Sequence, residues 1–424
     1  MRKQIIQTSS LVLIGLLLLA SVPAINAQSE NNYYVSMENV DAKQESVDSL
    51  KNVKSFNSAT FTIKPTEFNN AVNENKIIIL QLMGEDVALN LHETHVMGDD
   101  TKVITTDEKG NMVLVDAPDI RTYHGKVVGD EDSQVAITIS NNLLAGMIDV
   151  DDNAYYIDVT KNEIGGKNIH IVYRAKSVEF DLTDGLLNDT DEGVDYDSRF
   201  EYYETSDNLV LTSRAMTSIK ILPCYDRHFK NIYGSYALAE FEIADMINTA
   251  NLGLDDHDAS LTFDYYKRYS YLDSGTGQEI INFFKNDISP YRDITGSDLA
   301  TLFYGQDFED TVLGMGSTYN GSSVQAYSVL QMVAGTGSYG ATYPERCIVL
   351  THEIGHNLDS RHNEHYEWIA TPYTYYTVMS PSVIYNSTHR VRTVFSDGDV
   401  YGDATHNNGA HIEACKDIVA AFRT

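Results

Sequence analysis

The order of segments in this chain predicts an α/β domain built on a mixed, twisted sheet and preceded by a mostly β domain. Three observations carry that expectation. From residue 217 onward, short strand-like runs alternate with longer helical patterns, as in a sheet with crossover helices. Before residue 181, short runs rich in Val, Ile, Thr and Tyr dominate, among them Lys76 to Leu82, Gln134 to Ile139 and Ala154 to Val159. Between the two parts, Asp181 to Glu204 is acidic and turn-rich, which suits a solvated linker; a calcium loop is its alternative reading.

The N-terminus has Arg2 and Lys3, an apolar run centred on Leu11 to Ala20, and Ile25-Asn26-Ala27 as a small-residue cleavage site, which together read as a signal peptide. Pro23 and Asn26 interrupt the run too early for a membrane span, no cysteine follows it for a lipid anchor, and no later stretch is long and apolar enough to cross. The expected organisation is therefore a signal peptide over 1–27, a first domain over 28–205 that ends in the linker 181–205, and a second domain over 206–424. In the second, the expected order is strand (Ser218 to Pro223), helix (Ser235 to Asn251), strand (Ser260 to Tyr271), helix (Gly277 to Asn286) and strand (Asp298 to Tyr304). An edge strand (Thr311 to Thr318), a strand near Ala326 to Ala334, a long helix and a terminal helix from about Ala410 follow.

The charge balance is 30 basic against 61 acidic groups, a net charge of −31, and both parts are acidic. That excludes nucleic acid and anionic membranes as natural partners and favours a soluble protein.

The long helix is expected to open at Thr342, which has capping-box spacing to Glu345, with Pro344 in the first turn and Leu350, Ile354 and Leu358 as its apolar stripe. His352, Glu353 and His356 lie on it. Residues four apart sit one turn above each other, so His352 and His356 can aim at one metal ion, and Glu353, rotated by about 100°, stands beside that ion as a general base. A third histidine, His362, lies about 9 Å further along the axis than His356, so the chain has to turn sharply before it. Asp359 is the expected turn residue, because Asp tolerates a left-handed backbone at a helix end. Of the three cysteines, Cys347 and Cys415 are the candidate disulfide pair of an exported chain, with Cys224 left over.

The segment His352-Glu353-Ile354-Gly355-His356-Asn357-Leu358-Asp359-Ser360-Arg361-His362 resembles the zinc motif of the metzincin endopeptidases. Met379, in Thr377-Val378-Met379-Ser380-Pro381 and 17 residues beyond His362, resembles the Met-turn of the adamalysin/reprolysin branch. Leu299 to Phe308, and Phe395-Ser396 with Asn407-Asn408, are similar to further stretches of that branch, and Tyr123 to Val127 with Leu143 to Gly146 resembles its propeptide. The chain departs from the pattern at Asp359, where the family has glycine, and at Asn363, where it has aspartate.

The resemblance implies a metzincin-like catalytic domain with a zinc helix and a small, irregular lower subdomain, preceded by a propeptide that inhibits the enzyme or helps it to fold. It implies one catalytic Zn²⁺ held by His352, His356 and His362, with Glu353 activating a zinc-bound water. The expected protein is a secreted zinc endopeptidase made as a zymogen, acting on protein or peptide substrates. A secreted binding or adhesion protein on the same scaffold, and a zinc hydrolase of a non-peptide substrate, are the alternatives. Residues 28–205 contain no cysteine, which rules out a propeptide thiol as the latency device; a carboxylate of the linker, or steric blockage of the cleft, takes its place.

Overall fold

The computed structural model describes residues 31–40, 59–64, 67–150, 154–178, 180–181, 215–270, 272–310, 312–319, 321–333, 341–381, 384–386 and 388–423. The expected signal peptide, the carboxylates from Asp184 to Asp197 and the boundary at 205/206 lie outside these residues.

The first part supplies β1 (Asn32–Tyr34), β2 (Ser36–Asn39), β3 (Ala59–Lys64), α1 (Phe68–Asn73), β4 (Ile77–Leu82), β5 (Glu85–Thr94), β6 (Met97–Thr106), β7 (Met112–Asp116), β8 (Arg121–Val127), β9 (Asp130–Ser140), β10 (Leu143–Asp149), β11 (Tyr155–Ile164), β12 (Lys167–Arg174) and β13 (Phe180–Asp181). Ten of these strands make one sheet in the order β1-β4-β5-β8-β9-β10-β11-β12-β3-β2, antiparallel except for β1 beside β4. One face packs with α1 around Phe61, Phe68, Leu80, Leu89, Tyr123 and Ile137.

The second part runs β14 (Thr217–Tyr225), α2 (Arg227–Tyr233), α3 (Tyr236–Asp255), β15 (Ala259–Arg268), α4 (Gly277–Thr295), β16 (Leu299–Tyr304), β17 (Gly314–Gly316), β18 (Tyr327–Gln331), α5 (Tyr343–Asn357), β19 (Glu367–Ala370), β20 (Tyr373–Tyr376), β21 (Ile384–Tyr385), β22 (His389–Val391) and α6 (Asn408–Val419). Its sheet has the order β17-β18-β16-β14-β15-β6-β7. The five inner strands are parallel, and β17 and β7 close the two edges antiparallel. Alternate residues of β16 feed opposite layers: Leu299 and Phe303 meet α3 and α5, while Ala300, Leu302 and Tyr304 meet α4.

Two features depart from the expected layout. The hairpin β6–β7 leaves the first sheet and extends the second by parallel pairing with β15, so the two parts share a sheet. Helix α3 is covered on both sides, with 17 of its 20 residues buried. Its stripe Glu242, Asp245, Asn248 and Asp255 reads as a solvent face but lies under the ten-stranded sheet. There the Asn248 amide donates to the carbonyl of Ile137 at 3.2 Å, and the Asp255 carboxylate sits 2.8 Å from Nδ1 of His124. At the other end Arg346 of α5, fully buried, reaches Asp158 of β11 at 2.9 Å and Glu242 of α3 at 2.6 Å.

Smaller differences have local causes. The helix expected to stop at Asn286 continues through Pro290 to Thr295, because Ile288 and Arg292 still have a core to enter; it ends at Gly296 in the left-handed region. The expected edge strand shrinks to Gly314–Gly316.

Candidate metal centre

Helix α5 starts as its sequence suggests. The Thr342 N–H donates to the Glu345 carboxylate at 3.0 Å, and Leu350, Ile354 and Leu358 are fully buried. The chain turns at Asp359, whose φ is +61°, and brings His362 back over the helix.

The three expected ligands meet. Nε2 of His352 lies 2.9 Å from Nε2 of His362 and 3.1 Å from Nε2 of His356. Nδ1 of His352 donates to the Val378 carbonyl at 2.8 Å, and Nδ1 of His356 to the Ser360 carbonyl at 3.0 Å. Because a carbonyl only accepts, each of these rings carries its proton on Nδ1 and, when neutral, turns an Nε2 lone pair inward. Lone pairs that converge at 3 Å repel one another unless a cation sits among them. The donor set therefore fits a nitrogen-ligated metal such as zinc, with backbone carbonyl partners behind two of the ligands already in place. Among the described residues this is the one group of three His, Cys, Asp or Glu side chains placed to hold a metal.

Glu353 is buried against β17. A Cβ on Gly314 would overlap its carboxylate, and one on Gly316 would stand 2.6 Å from its backbone oxygen. Sequence reasoning missed both glycines; the signal was a Gly-x-Gly inside an expected strand. Gly316→Ala is expected to keep the metal, to lose about 1–3 kcal/mol of stability through overpacking, and to lose at least about tenfold in kcat by displacing the base. Metal analysis and steady-state kinetics on the same preparation check this.

Met379 packs beneath the ligands: a Cβ on Gly355, which lies between Glu353 and His356, would come within 2.5 Å of its sulfur. Asn357 fastens the end of α5 to the β17 edge by donating to the Ser317 and Tyr327 carbonyls at 2.9 and 3.1 Å. Cys347 and Cys415 remain free, buried thiols instead of the expected disulfide. Cys347 is in the second turn of α5 and Cys415 is on α6, and the two sulfurs are not bonded. A disulfide needs Cα atoms within about 7 Å.

A residue that sequence reasoning did not single out stands behind His362. His411 of α6 has Nδ1 3.0 Å from Asp359 and Nε2 2.9 Å from Glu364. Burial opposes the charged ring, but the hydrogen bonds to these two carboxylates outweigh it and push the His411 pKa up to about 9.

Comparison with known proteins bears on this region. Residues 216–390 match the family model Reprolysin_5, described as metallo-peptidase family M12. No curated protein matches the chain. A chain in a structure described as a chaperone–substrate complex aligns at 16% identity and a TM-score of 0.38, covering 49% of this chain and 36% of that one. Metalloproteinase-II from Bacteroides fragilis aligns at 11% identity and a TM-score of 0.43, over 80% of this chain and 91% of that one. At such scores neither alignment carries weight beside the family match. Over residues 216–390, where the histidines converge, the chain is similar to the metallopeptidases of family M12.

Proposed function

We propose that the protein is a secreted, zinc-dependent endopeptidase of the reprolysin-like metzincins, made as a zymogen whose propeptide is the N-terminal part. The observation that carries this reading is the convergence of three Nε2 atoms, with the buried Glu353 next to His352 on the same helix.

His352, His356 and His362 would hold the ion, and the carbonyl partners of His352 and His356 leave the Nε2 atoms of those two rings unprotonated. The bound metal supplies a Lewis acid that polarises the scissile carbonyl. Glu353 takes a proton from the attacking water and hands it to the leaving amine, and its packing on Gly314 and Gly316 holds it at that task. Strand β17 pairs only with β18 among the described strands, so a substrate backbone has an edge to join beside Glu353. The stretch from Val378 to Ile384 would shape one wall of the specificity pocket.

The end of the N-terminal part supports a steric form of latency. Phe180–Asp181 pairs antiparallel with Ile384–Tyr385, so the start of the proposed linker adjoins one end of that proposed wall. Cleavage near Arg199 or Arg214 would untether it, so that it can leave that wall on dilution. Limited proteolysis in the linker is expected to unmask cleavage of a broad peptide library, whereas a thiol-directed mercurial is not, because the three thiols are buried and none belongs to the N-terminal part. Activation by a mercurial without a cut in the linker would overturn the latency account. A cut, metal-loaded protein that cleaves no peptide would favour a binding protein or a non-peptide hydrolase on this scaffold.

A further inference from the structure

The loop that carries the third ligand is held from outside the zinc motif. Asn408, at the start of α6 and fully buried, accepts from the Arg361 N–H at 2.6 Å and donates to the Arg361 carbonyl at 3.1 Å, which fixes both backbone groups of the residue before His362. One turn further along α6, His411 spans the same loop from Asp359 to Glu364. Arg361 adds contacts of 3.3 Å to both Asp359 oxygens. The ligand is thus bracketed by Asp359, Arg361 and Glu364, and each of these is tied to α6.

This arrangement gives a reason for the aspartate at position 359. The left-handed backbone there requires only glycine or a tolerant residue. The carboxylate does more, because it receives one arm of the His411 bridge. Asp359→Gly therefore keeps the turn and loses the tie.

We infer that His411 is a positioning residue for the metal centre, which bridges Asp359 and Glu364 so that α6 holds His362 in its ligating place. It touches neither metal nor substrate, and its effect passes through the loop. The inference rests on the reading of the three histidines as a zinc site.

The test is zinc affinity of the full chain by chelator competition, with thermal unfolding of the metal-free protein measured alongside. His411→Ala is expected to bind zinc about 10- to 100-fold more weakly, with the metal-free melting temperature little changed. His411→Lys restores a cation between the two carboxylates and is expected to recover most of the affinity. Asp359→Asn, which keeps a residue tolerant of positive φ, is expected to lose severalfold, and to lose almost nothing further when added to His411→Ala; it also serves as the test if His411→Ala fails to fold. Zinc affinity within twofold of wild type in both single variants overturns the inference, as does a drop in metal-free stability with affinity unchanged. Wild-type protein that binds zinc tightly but cleaves no peptide would sink the peptidase reading and leave this one standing.

Discussion

Glu353→Ala is expected to retain one zinc per chain and to lose peptidase activity by about a hundred- to ten-thousandfold, the usual contribution of a positioned proton carrier. The side chain is buried beside the ligand cluster and is not one of its three members, and His352 and His356 keep their carbonyl partners when it is shortened. His356→Ala gives the contrasting result and loses metal and activity together, because two nitrogens make a poor zinc site. Metal analysis of the two purified proteins, each assayed after a cut in the linker, separates base from ligand. A fully active Glu353→Ala protein would end the proposed mechanism.

Arg346→Ala is the substitution expected to damage the fold most. It leaves Asp158 and Glu242 buried without their shared cation, a loss on the order of 3–5 kcal/mol. The loss should depend on pH in a defined direction. Burial raises the Glu242 carboxyl well above its usual range against the pull of Arg346, and burial pushes Asp245 up to about 7. Carboxyls raised in the folded state bind more protons there than in the unfolded chain. The stability they contribute is full below their unfolded pKa of about 4 and is lost as pH rises through their raised folded values, about 7 for Asp245. Without the arginine both groups are harder still to ionise. Arg346→Ala should therefore be folded near pH 4–5 and much weaker by pH 8, as denaturant melts at the two pH values would show. Equal destabilisation at both would mean that these carboxyls do not titrate together with folding.

What the sequence made legible is mainly what local chemistry decides. The capping box at Thr342 and Glu345, the apolar stripe from Leu350 to Leu358, the histidine spacing and the left-handed Asp359 each depend on neighbours within one or two turns. What stayed hidden depends on distant partners. The run Met97 to Asp116 has the same alternating pattern as its neighbours, and nothing local says that it will pair with β15, about 160 residues downstream, in place of the strands beside it. The acidic stripe of α3 reads as a water-facing surface until the second sheet is laid over it. His411 looks like an isolated surface histidine on a terminal helix; its role depends on two carboxylates some 50 residues earlier.

The shared sheet changes what a cut in the linker does to the molecule. While the chain is intact, β6 meets β15 at an effective concentration set by the tether, so the contact between the two parts does not depend on how much protein is present. Once the tether is severed, the same hydrogen bonds and the polar seat under α3 join two separate molecules, and dilution begins to pull them apart. On the proposed zymogen reading, a cut alone would leave the two parts paired in a crowded compartment, and separation would follow where the protein spreads into a larger volume.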